Sequence, residues 1–245
     1  IPPRHLVTVP KASLVLGFVL VCSLIDPNVD SVFAAVVIAP APDSMTTTSQ
    51  ARTRRGRNGW EAQLTSAGNS VNFDAPGAPF WDPSLYYDFS LTYQASTGTT
   101  ALGIDVDRDT VIEASEMVSL TEPSLQNQSV NYFNLYLQGR SNFQEEAFVR
   151  NLNINGTQFA QSFESGFGSS DHYFADQNGS DWTDVSITGE MRLSWGNNGR
   201  GSQERPRIWL TLGQGVTAVP EPATALFCCL PVGICLLSRR RRSAA

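Results

Sequence analysis

The stretch Tyr87–Tyr93, YDFSLTY, alternates large apolar side chains with small polar ones at every step. Tyr87, Phe89, Leu91 and Tyr93 fall on one side of an extended chain, and Asp88, Ser90 and Thr92 on the other. That period of two belongs to a strand with one face in a core. The pattern recurs on both sides of it. Phe133, Leu135 and Leu137 mark one strand, and Ile208, Leu210 and Leu212 another. Val185, Ile187, Met191, Leu193 and Trp195 keep the same period with Gly189 between them. Turn chemistry separates the runs at Asn155-Gly156, Asn178-Gly179 and Asn197-Asn198-Gly199. No long segment has helical spacing, and there is no alternation of strand and helix. These features predict an all-β domain over 60–217, an antiparallel β-sandwich or jelly roll. About 160 residues suffice for one such core.

Composition narrows what this domain can do. The chain has 245 residues and a formal net charge of −6. Between Trp60 and Thr217 carboxylates outnumber arginines by about a dozen, and lysine is absent. Such a domain is repelled by phosphate backbones, so nucleic acid is not an expected partner; divalent cations and neutral polymers suit it better. Cys22 lies near the start and Cys228, Cys229 and Cys235 near the end, with none between. Disulfides, thiolate nucleophiles and zinc thiolates are therefore excluded from the domain.

The two ends read as export signals. Arg4 and Lys11 precede an apolar run from Ala12 to Ile25, the layout of a secretory signal helix. Signal peptidase is expected to cut after Ala34, with Val32 and Ala34 in the small-residue positions. Residues 35–59 read as a flexible linker, of which 40–59 is polar, Thr-rich and locally basic, with Arg52, Arg54, Arg55 and Arg57. At the other end, residues 218–245 hold three elements in order. Pro220-Glu221-Pro222 is extended and cannot enter a helix. Ala223–Leu237 is apolar, broken by Pro231, and short of the roughly twenty residues of a stable span. Arg239, Arg240, Arg241 and Arg242 then fix the C-terminus in the cytoplasm.

Those three elements resemble the PEP-CTERM sorting signal of bacterial exported proteins. The resemblance implies recognition by an exosortase, transient residence of a short transmembrane helix in the inner membrane, and delivery to the cell envelope or extracellular matrix. It also implies association with exopolysaccharide. Gly59-Trp60, YDFSLTY, VNYFNLYLQGR, NLNINGT and SITGEMRLSW are similar to the choice-of-anchor surface domains of the W type, a β-rich group that offers no catalytic residues to carry over.

One motif carries candidate metal chemistry. Asp105, Asp107, Asp109 and Glu116 occupy positions 1, 3, 5 and 12 of a twelve-residue loop, with Ile112 at position 8 and the Val111 carbonyl at position 7. This is the spacing of an EF-hand-type calcium loop. Two features depart from it: Thr110 stands where the sharp turn favours glycine, and TALGI before it reads as a strand. The alternative is an acidic turn with a short helical turn over Glu113–Met117. No cofactor other than calcium is suggested.

Catalytic readings are thin. His172 is the only histidine beyond the signal, and no G-x-S-x-G elbow occurs. No two acids stand out as a glycosidase pair. Trp60, Trp81, Trp182, Trp195 and Trp209 could stack on sugars or pack in the sandwich. Trp209, out of phase with Ile208 and Leu210, is expected to point away from that core face. The expectation is an exported, exosortase-sorted envelope or matrix protein without catalysis of its own. The alternatives are a calcium-assisted carbohydrate-binding module and, behind it, a surface glycoside hydrolase.

Overall fold

A computed structural model describes residues 35–54, 62–73, 81–141, 144–196 and 206–216. In chain order the strands are β1 (Val36–Ala39), β2 (Ser44–Arg54), β3 (Ala62–Ser66), β4 (Asn69–Phe73) and β5 (Tyr87–Gln94). There follow β6 (Thr99–Ile104), β7 (Met117–Thr121), β8 (Tyr132–Gln138), β9 (Glu146–Ile154) and the short β10 (Thr157–Gln158) and β11 (Phe163–Glu164). The last are β12 (Ser169–Asp176), β13 (Asp184–Ser194) and β14 (Arg207–Val216). Two single 3-10 turns, Ala114–Glu116 and Pro123–Leu125, interrupt the strands. None of the described helices is long and apolar enough to cross a membrane.

The strands form two antiparallel sheets. The first runs β1-β12-β8-β14-β2-β3-β4; the second runs β10-β9-β13-β5-β6-β7, with β11 on β9. Their inner faces meet in one core, as a β-sandwich does. Phe133, Leu135, Leu137, Ile208, Leu210 and Leu212 enter it from the first sheet. From the second come Tyr87, Phe89, Leu91, Tyr93, Val185, Ile187, Met191 and Leu193. Each fully buried Leu, Ile or Phe contributes about 1.5–3 kcal/mol, so the alternation seen in YDFSLTY and its sister strands is a large stabilising contribution. Asn155 and Gly156 close the β9–β10 hairpin with φ of 49° and 86°, the double left-handed conformation that Asn-Gly adopts readily. Gly189 sits at a bulge opposite Arg150–Leu152, where a Cβ would approach the Arg150 carbonyl to 3.1 Å.

The linker expected over 35–59 needs correcting. β1 lies inside it as an edge strand, and β2 pairs along its length with β14 on one side and with β3 on the other. Its alternation escapes a hydrophobic pattern because the inward residues are Ser49, Ala51 and Thr53, all essentially buried. Ser49 is tolerated there because its hydroxyl is satisfied from other strands, whereas the buried Thr53 hydroxyl finds no partner among the described residues. The Ser49 hydroxyl lies 3.0 Å from that of Ser66 on β3 and 2.7 Å from that of Thr100 on β6, joining the two sheets through the core. The signal peptide over 1–34, the whole PEP-CTERM region over 218–245, Trp60, Arg55, Arg57 and the Asn197-Asn198-Gly199 turn lie outside the described residues.

Candidate functional site: an acidic loop and a cationic aromatic face

The segment after β6 folds around two buried carboxylates. Asp105, anchored by its own N–H on the Asp88 carbonyl (2.9 Å), accepts from the Arg108 N–H through Oδ1 (2.6 Å) and from the Thr110 N–H through Oδ2 (2.8 Å). Glu116, in the Ala114–Glu116 turn, reaches back across the loop. Its Oε1 accepts from the N–H of Val106 (2.7 Å) and of Asp107 (3.3 Å), and its Oε2 from that of Glu113 (3.3 Å). Between them Asp107 accepts from Asp109 N–H and Asp109 from Val111 N–H, two successive Asx turns. The loop thus closes on itself through side-chain-to-backbone bonds, and Arg108 and Thr110 take φ of 63° and 75°. Thr110 adopts the left-handed conformation for which glycine is preferred, at a cost of about 1–2 kcal/mol for a branched residue.

This folding brings together most of the acids expected to hold calcium. Asp105, Asp107 and Glu116 each offer an oxygen, all within 4.8 Å of one another. Asp109 belongs to a second, more exposed set with Asp107 and Glu113 under the same limit. Glu113 was legible as the ninth position of the loop, a place where calcium loops often recruit a further oxygen through water, but it was not counted among the ligands. The charge of the cluster shows in its titration. Burial raises the Asp107 carboxyl, and the charges of Asp109, Glu116 and Asp105 add to it. The Glu113 carboxyl is raised chiefly by its side-chain hydrogen bond with Glu116. Burial works against the charge on Glu116, but the N–H groups of Val106, Glu113 and Asp107 and the Glu113 side chain outweigh it and hold that carboxyl below its ordinary range. The donor set is all oxygen and suits a hard divalent cation.

Beside the loop, a shallow groove of about 300 Å³ crosses the outer face of the second sheet. Thr110 and Ile112 form one wall; Asp88, Asn151 and Glu190 stand along it. Glu190 pairs with Arg150 and accepts from Asn151. Burial raises the Asp88 carboxyl, with Glu190 and Asp105 adding to it.

The outer face of the first sheet is of the opposite kind. Trp209 is directed outward between Arg52 on β2 and Tyr136 on β8, its direct partners in the ladder. The Arg52 guanidinium lies 4.7 Å from the Trp209 ring centroid and that of Arg207 5.6 Å; the Tyr136 ring is 5.2 Å away, tilted by 41°. Trp209 therefore points as its phase predicts. Trp81 and Trp182 are buried, and Trp195 packs against the core. His172 faces inward on β12, edge-on to Phe163 at 4.8 Å, and burial lowers its pKa.

A scan against protein-family models finds no match for this chain, and a search of the curated proteins finds none.

Proposed function

We propose that the protein is an exported surface component whose β-sandwich, of the choice-of-anchor kind, is delivered to the cell envelope or extracellular matrix by an exosortase and has no catalysis of its own. In this reading residues 1–34 form a signal helix that signal peptidase removes. Residues 218–245 hold the chain in the inner membrane through a short helix until processing. The observation that carries the reading is the order of Pro220-Glu221-Pro222, the apolar run and Arg239–Arg242. Its topology is self-consistent: terminal arginines in the cytoplasm leave the sandwich on the outer side. Replacing Pro220, Glu221 and Pro222 together by alanine tests it. The variant should stay at full length in the inner membrane while the unaltered chain is released. Equal release of both would refute it.

A second reading, calcium-assisted carbohydrate binding, is favoured by the convergence of Asp105, Asp107 and Glu116. Calcium there would offset the mutual repulsion of these acids and fix the loop beside the groove. Calorimetry should show calcium binding at or below millimolar concentration, abolished in Glu116→Gln. No heat at that concentration would remove calcium from the account.

A further inference from the structure

We propose that the groove on the outer face of the second sheet is a subsite for an uncharged polysaccharide. The proposal rests on the carbohydrate-binding reading and adds the place and the charge class of the ligand. Two ladder rows form the floor: Asp88 lies opposite Glu190, and Ser90 opposite Thr188. Phe89 and Ile187 enter the core, so these four side chains turn outward. Across from Ser90 on β6 is Gly103, and its missing side chain gives the wall a seat. A Cβ there would lie 2.6 Å from Ile112 Cγ2 and 3.0 Å from Ser90 Oγ. Ile112 therefore packs directly onto the sheet, with Thr110 in the same wall. The space of about 300 Å³ is at the small end of ligand sites, which run from about 300 to 1,000 Å³.

What the groove leaves unsatisfied describes its occupant. Among the described residues the Asp88 carboxylate accepts no hydrogen bond, and the hydroxyls of Ser90, Thr110 and Thr188 make none. Glu190 is engaged by Arg150 and by the Asn151 amide, so Asp88 is the less occupied of the two acids. Sugar hydroxyls donate to a carboxylate and exchange hydrogen bonds with side-chain hydroxyls, and Ile112 offers apolar surface to ring C–H groups. Charge selects against both kinds of polyelectrolyte. Asp88, with Glu190 and Asp105 near it, repels a polyanion, and burial with those neighbours already disfavours its own charge. A polycation meets Arg150, and Arg192 two residues along β13 from Glu190 on the same face. Arg192 lies over Tyr86 and Phe148, with no carboxylate partner among the described residues.

The test measures binding of the full chain, in a neutral detergent, with EDTA and again with calcium. Galactomannan, xyloglucan and dextran serve as neutral glycans, polygalacturonate as an acidic one and polylysine as a cationic non-glycan. A neutral glycan should bind more tightly than either polyelectrolyte, with little dependence on salt. Asp88→Ala, and separately Thr188→Trp, which fills the groove, should each weaken it about fivefold or more. Both changes lie on an outer face, and the midpoint of thermal unfolding should stay close to that of the unaltered chain. Unchanged affinity in the folded variants would overturn the groove and leave carbohydrate binding standing elsewhere. Polygalacturonate or polylysine binding as tightly would overturn the uncharged class. Failure of every glycan, with and without calcium, would sink this proposal and the carbohydrate reading together.

Discussion

The cationic face around Trp209 and the acidic loop after β6 both hold charge in half-buried surroundings, and they do so by different means. Arg52 and Arg207 lie against an aromatic ring, and Arg52 also meets a neutral amide, so the positive charges are spread over aromatic and amide groups. Asp105 and Glu116 are stabilised by backbone N–H groups, but Asp107, Asp109 and Glu113 crowd against them with like charge. The first arrangement is at rest in the free protein. The second stores repulsion that a cation would relieve. A surface that is already satisfied makes no demand for an occupant, whereas a loop under electrostatic stress suits an ion that stays bound.

That contrast can be broken most forcefully at Glu116. Glu116→Ala leaves the N–H groups of Val106, Asp107 and Glu113 without their acceptor and should cost about 2–4 kcal/mol, read as a lowered midpoint of thermal unfolding. A midpoint within a degree of the unaltered protein would show that the loop does not depend on this carboxylate. Trp209→Ala should cost less, about 1 kcal/mol, because its contacts are a ring pair and cation–aromatic pairs on an outer face. A loss as large as that for Glu116 would mean the face is structural.

Smaller effects sharpen the account of the loop. Thr110→Gly removes the left-handed strain at φ 75° and should stabilise the protein by about 0.5–1 kcal/mol, part of the relief being lost to glycine's freer unfolded chain. A decrease in stability would indicate that Thr110 contributes contacts outweighing its strain. The subtlest signature is in pH. Asp107 and Glu113 have raised folded-state pKa values, so as pH falls they take up protons before the unfolded chain does, and the metal-free protein gains stability in that upper window. Glu116 has a lowered value; its contribution is present above the unfolded pKa and is lost as pH falls through the folded one. Calcium should therefore be released at higher pH than that at which the metal-free protein loses stability. Calorimetry and melting curves across a pH series would show the two transitions apart, and their coincidence would contradict the assigned shifts.

Sequence and structure agree where one short stretch carries the whole signal. YDFSLTY is a core strand because its apolar residues are large and strictly alternate, and Asn155-Gly156 closes a hairpin because two consecutive left-handed residues demand it. The acid spacing from Asp105 to Glu116 reads directly because all its members lie within twelve residues. β2 was illegible as a strand for the opposite reason. On its buried side, Ser49-Ala51-Thr53, small and polar residues replace large apolar ones, and Ser49 fits the core only when Ser66 and Thr100 arrive from other strands to share hydroxyl contacts. With β2 unread, Arg52 could be seen only as one charge in a basic run. Trp209 was correctly directed outward by its phase, but its partners lie on β2 and β8, distant in sequence, and nothing local announces that they meet. Thr110 shows the limit of a residue preference: the loop takes the glycine conformation without the glycine.

The groove and the loop gain a purpose only if the sandwich is carried outside the inner membrane and released there. The most direct measurement is therefore the intact mass of the protein recovered from its native host, cell fraction by cell fraction. The account predicts a species beginning near Ala35 and ending near Pro220-Glu221-Pro222, found beyond the inner membrane. A chain with its arginine tail intact and retained in that membrane would contradict it, leaving a plain membrane anchor in place of a sorting signal.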